Sequence, residues 1–263
     1  MAAAVRGSTR WIRYEHAGTR AFGTLDGETI ARYDGDMFGA PVATGETVAL
    51  SEVKVLTPTD ARKYICLWNN FAALGAKLGL AVPATPLFLI KASSSYAATG
   101  DVIRKPKAYD GRVIFEAELG IVIGKRFSGG SEDEARAAIF GYTCINDVTA
   151  FEIINEDPSF GQWTRAKSFD TFGVFGPVVA TGLDPDTLTI RAVLNGEERQ
   201  AYPASDMLIK PARLVSLLAR DMTLMPGDVI ACGTSIGAGT MKPGSQIEVA
   251  IEGIGTLSNR FEA

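Results

Sequence analysis

The chain is poor in the side chains that most often do chemistry at neutral pH. It has one histidine, His16, beside Ala17-Gly18 in a turn-like stretch, and a lone loop histidine with no partner to tune it reads as solvated rather than catalytic. Its three cysteines, Cys66, Cys144 and Cys232, are widely spaced in apolar segments. An odd count without a metal-knuckle pattern reads as buried free thiols in a reducing compartment, so a cytoplasmic protein is expected. No apolar run approaches the length of a membrane span, and residues 1–8 lack the apolar core of a signal peptide, so neither export nor anchoring is expected. Positive charge is not in excess either. With 26 Lys and Arg against 30 Asp and Glu, the net charge is -4, and without a basic stripe there is no electrostatic case for nucleic acid or for anionic membrane. Internal repeats and low-complexity segments are absent. The glycines of Gly237-Ala238-Gly239 are too few and wrongly spaced for a phosphate loop.

What is present is the composition of a globular protein. A chain of 263 residues, 46% hydrophobic and 21% charged, is long enough for one large core or a core with a small extra domain. Short candidate strands at 11–14, 21–25 and 29–33 alternate with Gly and Asp turns, which predicts a small β-rich N-terminal module over residues 1–57. Residues 58–60 read as a linker turn opening a larger domain over 58–263. There Tyr64-Ile65-Cys66-Leu67 is a buried strand, and residues 68–79 turn into a helix that ends near Gly79. The apolar strand 86–91 ends in Lys91, which belongs either to the rim or floor of a site or to the surface. Residues 132–140 form an amphipathic helix with Ser131 as its N-cap and acids in its first turn. Asn195-Gly196 is the turn of a hairpin between 188–194 and 197–201. A helix within 206–220 starts at Pro211. Strand 229–232 delivers Gly233-Thr234-Ser235, and 246–261 reads as a strand pair.

Residues 113–124 carry the strongest chemical signal. They are β-branched and apolar as far as a strand requires, interrupted only by Glu116 and Glu118. Alternate strand residues share a face, so the two glutamates point the same way together with Ile114, Gly120 and Val122. Buried like charges cost several kcal/mol each unless a cation compensates. A second apolar segment, 139–145, runs into Asn146-Asp147 and supplies a third carboxylate. Three carboxylates without a histidine or thiolate beside them suit a hard cation, Mg²⁺, Mn²⁺ or Ca²⁺. From spacing alone, the wet face of an edge strand explains the pair equally well.

Five motifs occur in one order: Glu116-Ala117-Glu118-Leu119-Gly120-Ile121-Val122-Ile123-Gly124-Lys125; Gly141-Tyr142-Thr143 with Asn146-Asp147-Val148-Thr149-Ala150; Ala166-Lys167-Ser168-Phe169-Asp170; Pro226-Gly227-Asp228-Val229-Ile230; and Gly233-Thr234. In that order they resemble the fumarylacetoacetate hydrolase family, from about Tyr64 to Phe261. The resemblance implies an α+β, mainly β fold, a mixed β-sandwich roll, and a homodimer or higher homo-oligomer. It also implies a divalent ion held by Glu116, Glu118 and Asp147. Two departures stand out. The family's water-activating histidine and glutamate correspond to Leu74 and Lys77, and its substrate-binding arginine and glutamine to Phe151 and Ile154, which predicts a more apolar pocket.

On that reading the substrate is a small 2-oxo or β-diketo acid whose carboxylate and ketone oxygens chelate the ion. The enzyme acts at a carbon–carbon bond, as hydrolase or decarboxylase, through a metal-stabilised enolate. Lys167 contributes a second positive charge, unless it merely pairs with Asp170 or another acid. Lys91, Gly233, Thr234 and Phe151 line the substrate site, with the main-chain N–H and hydroxyl of Thr234 on the substrate carboxylate. Hydrolysis needs a base to activate water, for which Glu152 is the candidate. An isomerase or hydratase of 2-hydroxy-dienoates and a non-catalytic metal-binding relative are the alternatives. Without its ion the site should hold three mutually repelling carboxylates. At least one then has a raised pKa, and Glu116→Gln or Asp147→Asn costs the metal-free protein nothing.

Overall fold

The computed structural model describes residues 7–263. Residues 1–6, on which most of the expectation of a missing signal peptide falls, lie outside the described part. Among the described residues the architecture is α+β and dominated by sheets: one of twelve strands, one of five and one of three, with four short α-helices.

In the large sheet the path runs through Pro41–Ala49, Thr29–Gly35, Thr19–Asp26, Thr9–His16, Gly173–Thr181, Ile139–Asp147, Ala117–Ile123, Val229–Ala231, Tyr64–Trp68 and Leu87–Lys91. The N-terminal strands are longer than their sequence cores, and a fourth, Pro41–Ala49, joins them. Its mostly exposed alternation of Thr, Gly and Glu gives little apolar period to read. These strands continue the main sheet, because Thr9–His16 pairs with Gly173–Thr181. The linker is held too: the Thr59 hydroxyl donates to the Gly227 carbonyl at 2.7 Å.

Period-2 alternation divides the core between the two faces of this sheet. Ala117, Leu119 and Ile121 pack with Ile190, Val249 and Leu257 of the five-stranded sheet, which consists of Glu197–Pro203, Thr189–Leu194, Gln246–Ile251, Gly255–Glu262 and Val102–Arg104. On the other face Val122 meets Ile145, Tyr64, Cys66, Leu89 and Ala231 in a second cluster. Glu118, Asp147 and Lys91 follow these apolar residues in strand alternation, so the polar site lies at one end of this second face.

Local chemistry matches the elements. Helix α1, Ala72–Leu78, stops at Gly79, whose φ of 66° is left-handed. In α2, Glu132–Ala138, Ser131 and Glu134 form a reciprocal capping box; the helix gives way to strand at Ile139, where the apolar period becomes two. The third helix, α3, Trp163–Lys167, is a single turn, and α4, Pro211–Asp221, opens on its proline. The hairpin turn has Asn195 and Gly196 at φ 53° and 83°, the type I′ pattern. All three cysteines are buried and free.

Gly141 sits beside the register shift between Ile139–Asp147 and Gly173–Thr181. A Cβ there would lie 2.4 Å from the Ala180 carbonyl oxygen, and backbone has little room to yield. Gly141→Ala is therefore expected to destabilise the protein by about 1–3 kcal/mol, the usual cost of overpacking. Urea unfolding checks this, and an unchanged midpoint contradicts it.

Candidate metal centre

The acidic segment is two strands. Val113–Phe115 belongs to the three-stranded sheet, with Thr149–Ala150 and Gly239–Thr240 as its neighbours, whereas Ala117–Ile123 belongs to the large sheet. Glu116 is the crossing residue. The continuous strand expected over 113–124 is thereby corrected, and Ile114 does not share the sheet of Glu118, Gly120 and Val122. The acids converge all the same. The Asp147 N–H donates to the Glu116 carbonyl at 2.9 Å, which brings the end of Ile139–Asp147 to the crossing. One carboxylate oxygen of each of Glu116, Glu118 and Asp147 lies within 4.8 Å of the others. Glu118 and Asp147 are 1% exposed, so this is not the wet face of an edge strand.

Two lysines complete the cluster. Lys91 is fully buried behind Asp147, with Nζ 2.7 Å from its Oδ1. The three protons of its ammonium go to the carbonyls of Val148, Lys167 and Phe172 at 3.2, 2.7 and 2.8 Å, so its contact with Asp147 is an ion pair. This makes Lys91 the floor of the site and corrects both the surface reading and its expected contact with substrate. Lys167, at the end of α3, does not pair with Asp170. Its Nζ lies 2.7 Å from Asp147 Oδ2 and from Thr149 Oγ1, and it also donates to Glu116.

Three carboxylates, two buried and that of Glu116 part-buried, thus face two ammonium groups, and the titration follows from that arithmetic. Burial, together with the charges of Asp147 and Glu116, pushes the Glu118 carboxyl well above the usual carboxylate range. Glu116 is raised as well, burial outweighing the pull of Lys167. For Asp147 burial is the largest influence and acts upward, but the two lysines together overcome it and hold the group low. Lys167 is raised by Asp147 and Glu116 in spite of burial. The expected raised pKa therefore falls on Glu118 and Glu116. Asp147 is ion-paired with both lysines, an arrangement that argues against the expectation that Asp147→Asn is harmless.

This donor set fits a hard divalent ion. All three candidate ligands are carboxylates, and the cluster carries one negative charge more than its lysines balance. The Gly233 N–H donates to Glu118 Oε2 at 2.7 Å and so orients a candidate ligand. The Thr234 hydroxyl donates to the Ala117 carbonyl at 2.9 Å, so its one proton is not free for a substrate carboxylate.

Glu152 is placed for another task. Its carboxylate accepts from the Tyr109 hydroxyl, from the Arg112 N–H at 2.8 Å and from Arg112 Nε at 2.6 Å. Its slight burial acts upward, but these bonds hold it down at about 2. So acidic a group is a poor base at neutral pH. Phe151 stacks with the Arg112 guanidinium, 4.6 Å from the ring centre, and Ile154 is buried in the core. On α1, Leu74 is half-buried and has no titratable group, and Lys77 is exposed. His16 is exposed at the end of its strand.

Sequence reasoning passes over Thr149, Gln200 and Tyr202. Thr149 lies inside a motif without a role of its own. Gln200 and Tyr202 alternate inward along Glu197–Pro203, where the burial pattern is exposed apart from these two.

Residues 63–262 match the family model described as fumarylacetoacetate (FAA) hydrolase C-terminal, and residues 9–58 one described as Rv2993c-like, N-terminal. Among solved structures, 2-hydroxyhepta-2,4-diene-1,7-dioate isomerase from Mycobacterium marinum is 34% identical with a TM-score of 0.88, covering 97% of this chain and 98% of that one. Fumarylpyruvate hydrolase from Pseudomonas aeruginosa, solved in complex with Mn²⁺ and pyruvate, is 26% identical with a TM-score of 0.72, over 77% and 90% of the two chains. The oxaloacetate tautomerase of Bacillus subtilis is 32% identical over 227 residues, 81% of this chain and 74% of its own length. With the five motifs in order, the sandwich fold and the family model matched over most of its length, the chain belongs to the fumarylacetoacetate hydrolase family.

Proposed function

We propose that the protein is a divalent-metal-dependent enzyme that enolises a small 2-oxo acid, tautomerising or decarboxylating it, with Mg²⁺ or Mn²⁺ as its ion. The observation that carries this is the convergence of Glu116, Glu118 and Asp147 within 4.8 Å, one carboxylate in excess of the lysines beside them. Held by these three residues, the ion supplies Lewis acidity to the carboxylate and ketone oxygens of a chelating 2-oxo acid. The remaining work falls to the chain. Lys167, fixed by Thr149, keeps its proton and brings fixed positive charge to a developing oxyanion. Lys91 stays beneath Asp147 and holds it in place. The main-chain N–H of Thr234 takes the substrate carboxylate, its hydroxyl being engaged at Ala117.

Carbon–carbon hydrolysis ranks below these reactions for a physical reason. It needs a base for the attacking water, and Glu152, Leu74 and Lys77 offer none. Decarboxylation needs neither attacking water nor a base for a C–H proton, and tautomerisation needs only a carrier that takes the proton from carbon 3 and returns one to the enol oxygen, a task open to solvent water once the ion and Lys167 stabilise the enolate; the likeness to an oxaloacetate tautomerase supports this choice. An isomerase of 2-hydroxy-dienoate diacids is the second reading, favoured by the likeness to the Mycobacterium marinum isomerase. We also propose a homodimer, for which the exposed Leu87, Phe88 and Ile90 of an end strand of the sheet offer apolar surface.

Mg²⁺ or Mn²⁺ should raise the thermal unfolding temperature, by the equivalent of about 2.7 kcal/mol at a hundredfold excess over the dissociation constant. Glu118→Gln should abolish that shift. Its metal-free form should match or exceed the wild type in stability near neutral pH. Because the folded-state pKa of Glu118 is raised, its contribution is fully present below the ordinary carboxylate pKa and is lost as pH rises toward the folded value. The advantage of the variant should accordingly vanish on acidification. Asp147 has the opposite sign, a lowered pKa whose stabilisation is lost as pH falls, and Asp147→Asn should cost about 3–5 kcal/mol. A full metal shift in Glu118→Gln, or a stable metal-free Asp147→Asn, contradicts the assignment.

With oxaloacetate and Mg²⁺, NMR should show accelerated keto–enol exchange, and release of carbon dioxide separates decarboxylation from tautomerisation alone. Lys167→Met should slow turnover by about 10²–10³, as removal of a fixed oxyanion partner does. No turnover of any 2-oxo acid by protein with metal bound counts against the proposal. Sedimentation at micromolar concentration should show a dimer; a monomer rejects that part.

A further inference from the structure

The pivot between the two candidate glutamate ligands is Ala117, and its backbone is held by side chains. Within the ladder between Ala117–Ile123 and Ile139–Asp147, Ala117 faces Asn146, while Asp147 bonds to Glu116. The N–H and C=O of Ala117 therefore point to the opposite edge. There the neighbouring strand ends at Ala231, and its pairing reaches only Gly120. A ladder that runs out leaves buried backbone groups needing other partners. The Ala117 N–H donates to Gln200 Oε1 at 3.1 Å. Its carbonyl accepts from Thr234 Oγ1 at 2.9 Å and from the Tyr202 hydroxyl.

Gln200 does more than fill one end of this gap. Its side-chain Nε2 donates to Thr234 Oγ1 at 3.0 Å and to the Ser235 carbonyl at 3.1 Å. Ala117 presents a donor and Ser235 an acceptor, and a side-chain amide, with both functions on one end, satisfies the two together. The side chain, 1% exposed, thus ties the crossing of the acidic strand to the loop after Ala231. That same loop holds Gly233, whose N–H fixes Glu118 at 2.7 Å.

We propose that Gln200 is a positioning residue of the carboxylate centre, setting the aim of Glu116 and Glu118 through Ala117 and through the Gly233–Thr234 loop, with Tyr202 as its companion. This rests on the proposed metal centre and adds to it a determinant that is not itself a ligand. A glutamine that merely filled a gap in the core would set the stability of the fold and leave the geometry of the acids alone.

The test is Mn²⁺ affinity, read from the electron paramagnetic resonance of free Mn²⁺, on protein whose folding is checked by circular dichroism. Gln200→Met removes both halves of the amide. Gln200→Glu keeps the acceptor for Ala117 and, in its ionised form, loses the donor for Ser235. Tyr202→Phe removes a single hydroxyl and serves if either glutamine variant fails to fold. Each folded variant should bind Mn²⁺ about 10- to 100-fold more weakly, the usual loss when a group orienting a ligand is removed. A lowered metal-free melting temperature with Mn²⁺ affinity within about twofold of wild type, against that expected loss, overturns the positioning role. Wild type and Glu118→Gln are measured alongside. If wild type binds Mn²⁺, Glu118→Gln does not and the Gln200 and Tyr202 variants bind like wild type, only the positioning role falls. If wild type binds none, the centre falls and the positioning role with it.

Discussion

Gathering three carboxylates together, two of them buried, constrains everything around them. Each ionised acid taken out of water costs several kcal/mol unless countered, and the chain counters them with two lysines drawn from different elements. Lys91 comes from the end strand Leu87–Lys91 and Lys167 from the one-turn helix Trp163–Lys167. Asp147 lies between them, ion-paired with both. Of the three acids it is the one held below its ordinary pKa, while Glu118, with no lysine bonded to it, is raised well above. The excess of acids over lysines falls on the glutamates, where the proposed divalent ion would balance what the lysines leave.

The fold is arranged to make that convergence possible. An unbroken strand would place Glu116 and Glu118 on one face at a fixed repeat. Here the chain changes sheets at Glu116, so the two acids are aimed by separate sets of hydrogen bonds: Glu116 by its pairing with Asp147 and by Asn146 Oδ1 at 3.2 Å, Glu118 by the Gly233 N–H. The second face of the large sheet is apolar up to this point, through Val122, Ile145, Cys66 and Leu89. The charged groups therefore meet in a low-dielectric surround, where their mutual attraction is strong.

Much of this is legible in the sequence wherever a period or a turn dipeptide carries it. The carboxylate triplet, the capped helix after Ser131, the Asn195-Gly196 hairpin and the Pro211 helix are local patterns, and the structure contains each of them. The misreadings are non-local. A change of sheet at Glu116 leaves the alternation of residues intact, so residues 113–124 look like one strand. Lys91 resembles a strand-end surface lysine until three carbonyls from distant segments and Asp147 close around it. Glu152 follows the metal-site motif closely, yet Arg112 and Tyr109 claim its oxygens from 40 and 43 residues away. Gln200 sits at the end of the polar run Glu-Glu-Arg, and nothing in that run shows that its amide turns inward.

A crystal grown with Mn²⁺ and oxalate, a planar mimic of a 2-oxo acid enolate, tests the central claim most directly. Anomalous scattering should place one Mn²⁺ among the carboxylates of Glu116, Glu118 and Asp147, with both oxalate oxygens on the ion and Lys167 displaced from at least one acid. An anomalous peak elsewhere, or carboxylates still bonded only to Lys91 and Lys167 at saturating Mn²⁺, would contradict it.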